Sequence, residues 1–300
     1  MKFNRGDLFM LISVIVWGNT FPTAKYVLTA LPPPVYAASR YLLAAATLMI
    51  VLAVLQGLQP PRRRDIPGLA GLGLLGVTIM QLLWTNALDL TTASKGAILV
   101  SVSPIFALLI SSFRGQPLGL QAWAGVILSF CGVFLVINNS ITEITLGGGS
   151  LVGDLLFLLV AFCWASYSVF ATPYLASLGP LRTTAWSMLF GALLLSPALF
   201  FGFDRIAWDS IDAGITASYL FTAIVAGALG YLLWYAGIAR LGIARSVIYS
   251  YLIPVFALLS AVTFLGEHVS AVQFGGAAVV ITGLVITRTG TRLPAKKQTP

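Results

Sequence analysis

Ten apolar stretches of about twenty residues, separated by Pro, Gly and charged residues, occupy almost the whole of this sequence. That length matches the roughly 20 residues a helix needs to cross a hydrocarbon core about 30 Å thick. The stretches fall near 8–28, 35–56, 67–88, 93–113, 118–138, 152–175, 181–203, 214–236, 243–264 and 269–287. Composition agrees, since 58% of the 300 residues are hydrophobic and 9% charged, with a mean hydropathy of +0.95. The ten-residue alternation of an outer-membrane barrel is absent, which leaves helices as the way to satisfy every backbone group in lipid. The sequence therefore predicts an all-α polytopic membrane protein with ten transmembrane helices. Lys2 and Arg5 imitate the start of a signal peptide, but no small-residue cleavage site follows, so the first stretch is read as a span.

The net charge of +8 is explained by membrane orientation and needs no nucleic acid. With both termini cytoplasmic, every Lys and Arg except Lys25, Arg40, Lys95 and Arg205 falls at a cytoplasmic end or loop. Asp89, Glu143, Asp154, Asp204, Asp209, Asp212 and Glu267 fall on the other side. This is the positive-inside pattern. Arg62, Arg63 and Arg64 read as its strongest anchor, with anionic lipid as a further contact. The expectation is a multi-pass protein of the cytoplasmic (inner) membrane, with the bilayer as partner, acting as a monomer or weak homo-oligomer. Lys25 and Arg40 lie nearest the hydrocarbon and read as snorkelling side chains, or as groups that meet a charged substrate at the outer mouth. His268, the only histidine, adjoins Glu267 and reads as a solvated loop pair.

The chain repeats itself. GDLFMLISVIVWGN from Gly6 aligns with GDLLFLLVAFCWAS from Gly153, placing Asp7 over Asp154 and Trp17 over Trp164. LLWTNAL from Leu82 aligns with LLWYAGI from Leu232, and SPIFALL from Ser103 with IPVFALL from Ile253. Gly125 and Gly132 recur as Gly276 and Gly283. The predicted units are 1–140 and 150–288, followed by a basic cytoplasmic tail, 289–300. Five spans per unit is an odd number, so the second unit would enter the membrane from the opposite side. Such inverted repeats are found in many secondary transporters, which bind substrate near the midplane between the halves.

WGNTFP at Trp17–Pro22, PVFALLSAVTFLGE at Pro254–Glu267 and the following GGAAVVITGLVI resemble the EamA-type drug/metabolite transporter superfamily. The resemblance covers essentially the whole chain. It implies a plan of two five-helix units, and within the superfamily the chain looks most like bacterial amino-acid exporters, aromatic ones included. One departure is that Gln116 stands in the first unit where Glu267 stands in the second. That argues against a coupling role for Glu267.

Depth and repeat symmetry select the candidate site residues. Trp17 and Trp164 lie at mid-span and are repeat mates, so they should face one another across a central cavity; packing, with each indole N–H bonded to a carbonyl, is the alternative. Trp84, Trp123, Trp186 and Trp234 lie off-centre and read as interfacial belt or packing residues. Asn19 beside Trp17, and Tyr167 beside Trp164, are polar groups at a depth where side chains face a cavity or a neighbouring helix. Gln81 maps onto Tyr231 and Ser101 onto Tyr251, so all four join the expected lining. Pro22, Pro104 and Pro254 are the expected hinges, because a proline inside a helix removes a backbone bond and kinks it.

The expected function is export of amino acids, aromatic or apolar ones included, or of similar small metabolites by alternating access. Another substrate class is the nearest alternative. An intramembrane enzyme would need a nucleophile and base or a metal set at membrane depth, and no span holds a His or paired carboxylates. A channel would favour a continuous polar stripe or charged rings. No cofactor and no metal are expected. Cys131 and Cys163 lie inside spans and behave as small hydrophobes.

Overall fold

The computed structural model describes residues 4–113, 119–138, 149–241 and 249–290. Gln116 and the tail from 291 onward lie outside them, as do residues 242–248 at the start of the expected ninth span. Every regular element among the described residues is helical. Among the described residues, eight stretches are long and apolar enough to cross a membrane by length and composition, and Ile253–Leu265 and Ala271–Thr287 are shorter apolar helices. The chain is a multi-pass membrane protein. Its exposed surface carries Ile50, Val54, Ile127, Phe134, Leu159 and Phe264, a face suited to lipid and not to water.

Local chemistry starts and ends the helices. α1 (Arg5–Val27) opens on a capping box in which Asn4 Oδ1 accepts from the Gly6 and Asp7 amides, and the Asp7 carboxylate accepts from the Asn4 amide. It then runs unbroken through Pro22. α2 (Pro33–Gln56) begins on prolines, where a missing N–H costs no helical bond. α3 (Ile66–Gly73) and α4 (Met80–Leu90) are joined by a π-helical segment, Leu74–Ile79. The second half repeats this: α10 (Ala213–Leu220) and α11 (Tyr231–Leu241) are joined by π-helical Phe221–Gly230. Such wide turns are rare and concentrate at functional sites.

The expected fourth span is two pieces, α5 (Ala93–Val100) and α6 (Ser103–Phe113), separated by a turn at Ser101 and Val102. Tyr251 and Leu252 form the equivalent turn before α12 (Ile253–Leu265). Pro104 and Pro254 therefore occupy the first turn of a new helical piece and do not kink a continuous helix. The reason is steric: proline cannot continue a backbone ladder, but fits without loss where a ladder begins.

The remaining helices are α7 (Leu120–Asn138), α8 (Gly149–Leu178), α9 (Pro180–Leu195) and α13 (Ala271–Gly290). First-half helices pack on second-half ones: α1 on α11 and α12, α2 on α9, α4 and α6 on α8, and α7 on α13. The relation of α1 to α11 and α12 is mirrored by that of α8 to α4 and α6, as repeat mates require. At the α7–α13 crossing the repeated glycines face each other. A Cβ on Gly132 would stand 2.6 Å from the Val280 amide nitrogen and 2.7 Å from the Gly276 oxygen, so no larger residue fits.

Candidate functional site

Between the halves lies a cavity of about 140 Å³. α1 supplies Trp17, Thr20 and Phe21 to its wall, α2 supplies Arg40 and Tyr41, and α4 supplies Met80, Gln81 and Trp84. Ser101 and Ser103 come from the α5–α6 break, and Val160 and Trp164 from α8. The second π segment and α11 complete it with Thr222, Ala226, Gly227, Tyr231 and Trp234, together with Ser250 and Ile253 ahead of and at the start of α12.

An aromatic cluster forms one side. Trp17 meets Trp164 edge to face at 5.9 Å, Tyr231 at 5.3 Å and Trp234 at 5.1 Å between ring centroids. Trp164 in turn meets Tyr231 at 5.8 Å. Offset and edge-to-face arrangements are the favoured ones for such rings. The Trp17 indole N–H donates to the Ala226 carbonyl at 3.1 Å, so the aromatic cluster is tied to the π segment of the opposite half. A Cβ on Gly230 would stand 2.8 Å from that indole nitrogen, which explains a glycine there.

A buried cation stands in the wall. Arg40 is 3% exposed, and its guanidinium donates to Tyr36 Oη at 3.2 Å and Gln81 Oε1 at 2.5 Å. It lies over the rings of Tyr36, Tyr41 and Trp84 at 5.0, 4.8 and 5.0 Å. Its Nε–H is buried with no acceptor among the described residues. No described carboxylate lies within ion-pair distance of it, and Glu143 is the one acidic residue outside the described set. Snorkelling does not describe this side chain, because α2 turns Arg40 inward onto α4 and away from lipid.

Lys25 does not snorkel either. Its Nζ donates to the carbonyls of Leu88, Asp89 and Thr91, the unpaired end of α4. Nearby, the Glu267 carboxylate accepts from the Ala93 and Ser94 amides at 2.8 and 3.0 Å and from Ser94 Oγ at 2.6 Å, capping the start of α5. Gly266, with φ of +64°, makes the left-handed turn that aims it there. His268 is exposed and Glu267 is engaged, so the two do not act as a solvated pair. On the same turn Lys95 Nζ meets Asp154 Oδ2 at 3.0 Å, and Thr91 Oγ1 donates to Asp154 Oδ1 at 2.7 Å. Asp154 and Glu267 of the second half thus hold the α4–α5 turn of the first.

Of the residues singled out from sequence, Trp17, Gln81, Ser101, Trp164 and Tyr231 stand in the cavity wall. Tyr167 stacks behind Trp164 at 5.8 Å and contacts Ser187 Oγ through its hydroxyl. Asn19 ties α1 to α12, donating to the Ile15 carbonyl and accepting from Ser260 Oγ at 2.7 Å. Beside it Gly18 lets the α12 backbone approach. Tyr251 packs among buried residues next to the α12 break and is not in the wall. Sequence depth alone missed Thr20, Trp84, Thr222 and Trp234, and for Arg40 it left open a snorkelling side chain or a group at the outer mouth. Trp84 and Trp234 are repeat mates, so the symmetry that selected Trp17 and Trp164 was available to select them too.

No group of three or more His, Cys, Asp or Glu among the described residues is placed to hold a metal. Among the described residues the wall offers ring faces, hydroxyls, one amide and one cation. Groups of this kind suit binding and orienting a small molecule, and none among the described lining residues is a nucleophile paired with a base.

The chain matches the EamA-like transporter family twice, over residues 4–138 and over 151–289. It is 30% identical to a probable amino-acid metabolite efflux pump of Salmonella typhimurium, covering 97% of both chains. It is 26% identical to a probable terminal-alkyne amino-acid exporter of Streptantibioticus cattleyicolor, over 95% of this chain and 94% of that one. Identity to the uncharacterized transporter YyaM of Bacillus subtilis is 28%, over 98% and 97%. A solved crystal structure shares the fold with a TM-score of 0.65 at 18% identity, covering 94% of this chain and 95% of that one. Two helical repeats packed reciprocally, a shared cavity between them and this double match give one conclusion: the chain belongs to the EamA-like transporter family of the drug/metabolite transporter superfamily, whose members move small molecules across membranes.

Proposed function

We propose that the protein exports amino acids, aromatic and apolar ones included, or similar small metabolites across the cytoplasmic membrane by alternating access. Its two five-helix repeats would insert in opposite senses, giving ten spans with both termini in the cytoplasm. The observation that carries this reading is the ring cluster of Trp17, Trp164, Tyr231 and Trp234 in the wall of a cavity built from both repeats. Ring faces take up apolar and aromatic side chains by area burial and stacking. Ser101, Ser103 and Thr222 provide hydroxyls for a polar head group. The α5–α6 break in the first half, and the Phe221–Gly230 π segment with the break before α12 in the second, give each half irregular backbone at the cavity, a feature that secondary transporters use for binding and movement. The names of the efflux-pump and exporter relatives point to the same substrate class.

The test is counterflow into proteoliposomes loaded with a panel of amino acids. Faster exchange of Phe, Tyr, Trp and Leu than of Gly or Asp is expected. Exchange of none of them, with exchange of an unrelated metabolite, would sink the amino-acid assignment while leaving the carrier mechanism.

A further inference from the structure

Resting on the reading of the cavity as the substrate site, we propose that Arg40 is its carboxylate receptor. The protein would then select aromatic and apolar monocarboxylates, with the α-ammonium group of an amino acid tolerated and not required. Three observations carry this. Arg40 is a fixed cation, 3% exposed, in the wall of a cavity between packed helices. An arginine stays charged under all such conditions, and a buried charge without a counter-ion is strongly disfavoured. Its described neighbours are neutral: Tyr36, Tyr41, Trp84 and Gln81 supply ring faces and two acceptors, but no negative charge.

The second observation is the donor left over. Tyr36 and Gln81 each take one N–H of a terminal nitrogen, which leaves the second N–H of each, while the buried Nε–H has no acceptor among the described residues. A planar carboxylate matches a guanidinium edge with two parallel hydrogen bonds and brings the missing charge. Gln81 Oε1 and the three rings hold the guanidinium in one orientation, so little side-chain entropy remains to be lost on binding.

The third is what the wall lacks. No Asp or Glu among the described residues lines the cavity, so an ammonium group finds ring faces and hydroxyls there but no counter-charge. The Trp17, Trp164 and Tyr231 rings stand in the same wall to receive the ligand's apolar part. Recognition is thereby asymmetric. The carboxylate is read by charge, the side chain by area, and the amine only by weaker cation–π contact.

The experiment is calorimetric titration of the full chain in lipid nanodiscs with L-phenylalanine, 3-phenylpropionate and 2-phenylethylamine. The two carboxylates should bind with similar affinity, and the amine about tenfold or more weakly. Arg40→Gln should weaken both carboxylates about ten- to a hundredfold and leave the amine unchanged, with Arg40→Lys intermediate because it keeps charge and loses the fork. Binding of the amine as tightly as the carboxylates overturns the proposal on the wild-type protein alone, whether or not the variants fold. So does unchanged carboxylate affinity in a folded Arg40→Gln, or binding of none of the three. Carboxylate binding lost in Arg40→Gln but without counterflow of the bound ligand supports the Arg40 assignment and sinks the transport reading instead.

Discussion

Trp17 and Trp164, equivalent residues of the two repeats, meet edge to face with ring centroids 5.9 Å apart. Each is also part of the cavity wall, so packing and lining are here one arrangement. Replacing either with Ala removes ring contacts worth about 0.5–1.5 kcal/mol each. Transport of aromatic substrates should fall about tenfold and that of small ones less. Trp17→Phe keeps the ring but not the N–H that Ala226 accepts, and should cost about 1 kcal/mol of stability. Equal losses for all substrates, tracking a lower melting temperature, would make the pair a packing element only.

Glu267 caps α5 through three hydrogen bonds. Glu267→Ala should lower stability by about 2 kcal/mol, and Glu267→Gln by less, since one amide oxygen still accepts. The pH profile of transport in Glu267→Gln should match wild type. A flattened profile at unchanged melting temperature would assign the residue to proton coupling instead of capping.

Lys95 and Asp154 form a buried ion pair at 3.0 Å. Lys95→Met strands a buried carboxylate and should cost about 3–5 kcal/mol, whereas Lys95→Met with Asp154→Asn should recover much of that. Thermal unfolding of the two single variants and the double one gives the coupling directly. Additive losses would mean that the two charges do not sense each other.

Pro104 and Pro254 each sit second in the helical piece beyond a break. Alanine at either position supplies an N–H that can bond backward and fuse the pieces. If the repeats exchange conformations during transport, Pro104→Ala and Pro254→Ala should bias the carrier toward opposite facing states. A bias of about 1 kcal/mol shifts the population ratio about fivefold, readable as labelling of single cysteines at the two ends of the cavity. Identical labelling with intact transport would place the hinge elsewhere, with Gly18 and Gly230 next to test.

Orientation is checked by single cysteines in a background lacking Cys131 and Cys163. Arg63→Cys and Lys297→Cys should both be shielded from an impermeant thiol reagent in intact cells, as positive-inside placement requires. Labelling of either from outside would overturn the orientation and with it the inverted arrangement.

Much of this was legible from residues alone. Long apolar stretches can only be helices in lipid, and the repeated GDL, LLW and glycine patterns set two copies of one unit before any packing was seen. Mid-span depth and repeat symmetry brought Trp17, Gln81, Ser101, Trp164 and Tyr231 forward, and the structure gathers these five around one cavity. The burial of Arg40 was not legible, because distance from a span's end says nothing about which way a helix turns a side chain; contact with α4 decides that. Nor was the work of Lys25 and Glu267, whose partners are backbone groups of the α4–α5 turn, 63 to 174 residues away. Prolines in apolar runs announce an interruption, but whether a helix bends or restarts depends on the neighbours that satisfy the freed backbone groups. Sequence by itself determined the solvent, the helices and the twofold plan, since these follow from local composition and periodicity. Tertiary structure alone decided which charges are buried, what caps which helix and where the rings meet, since those depend on groups brought together from opposite halves.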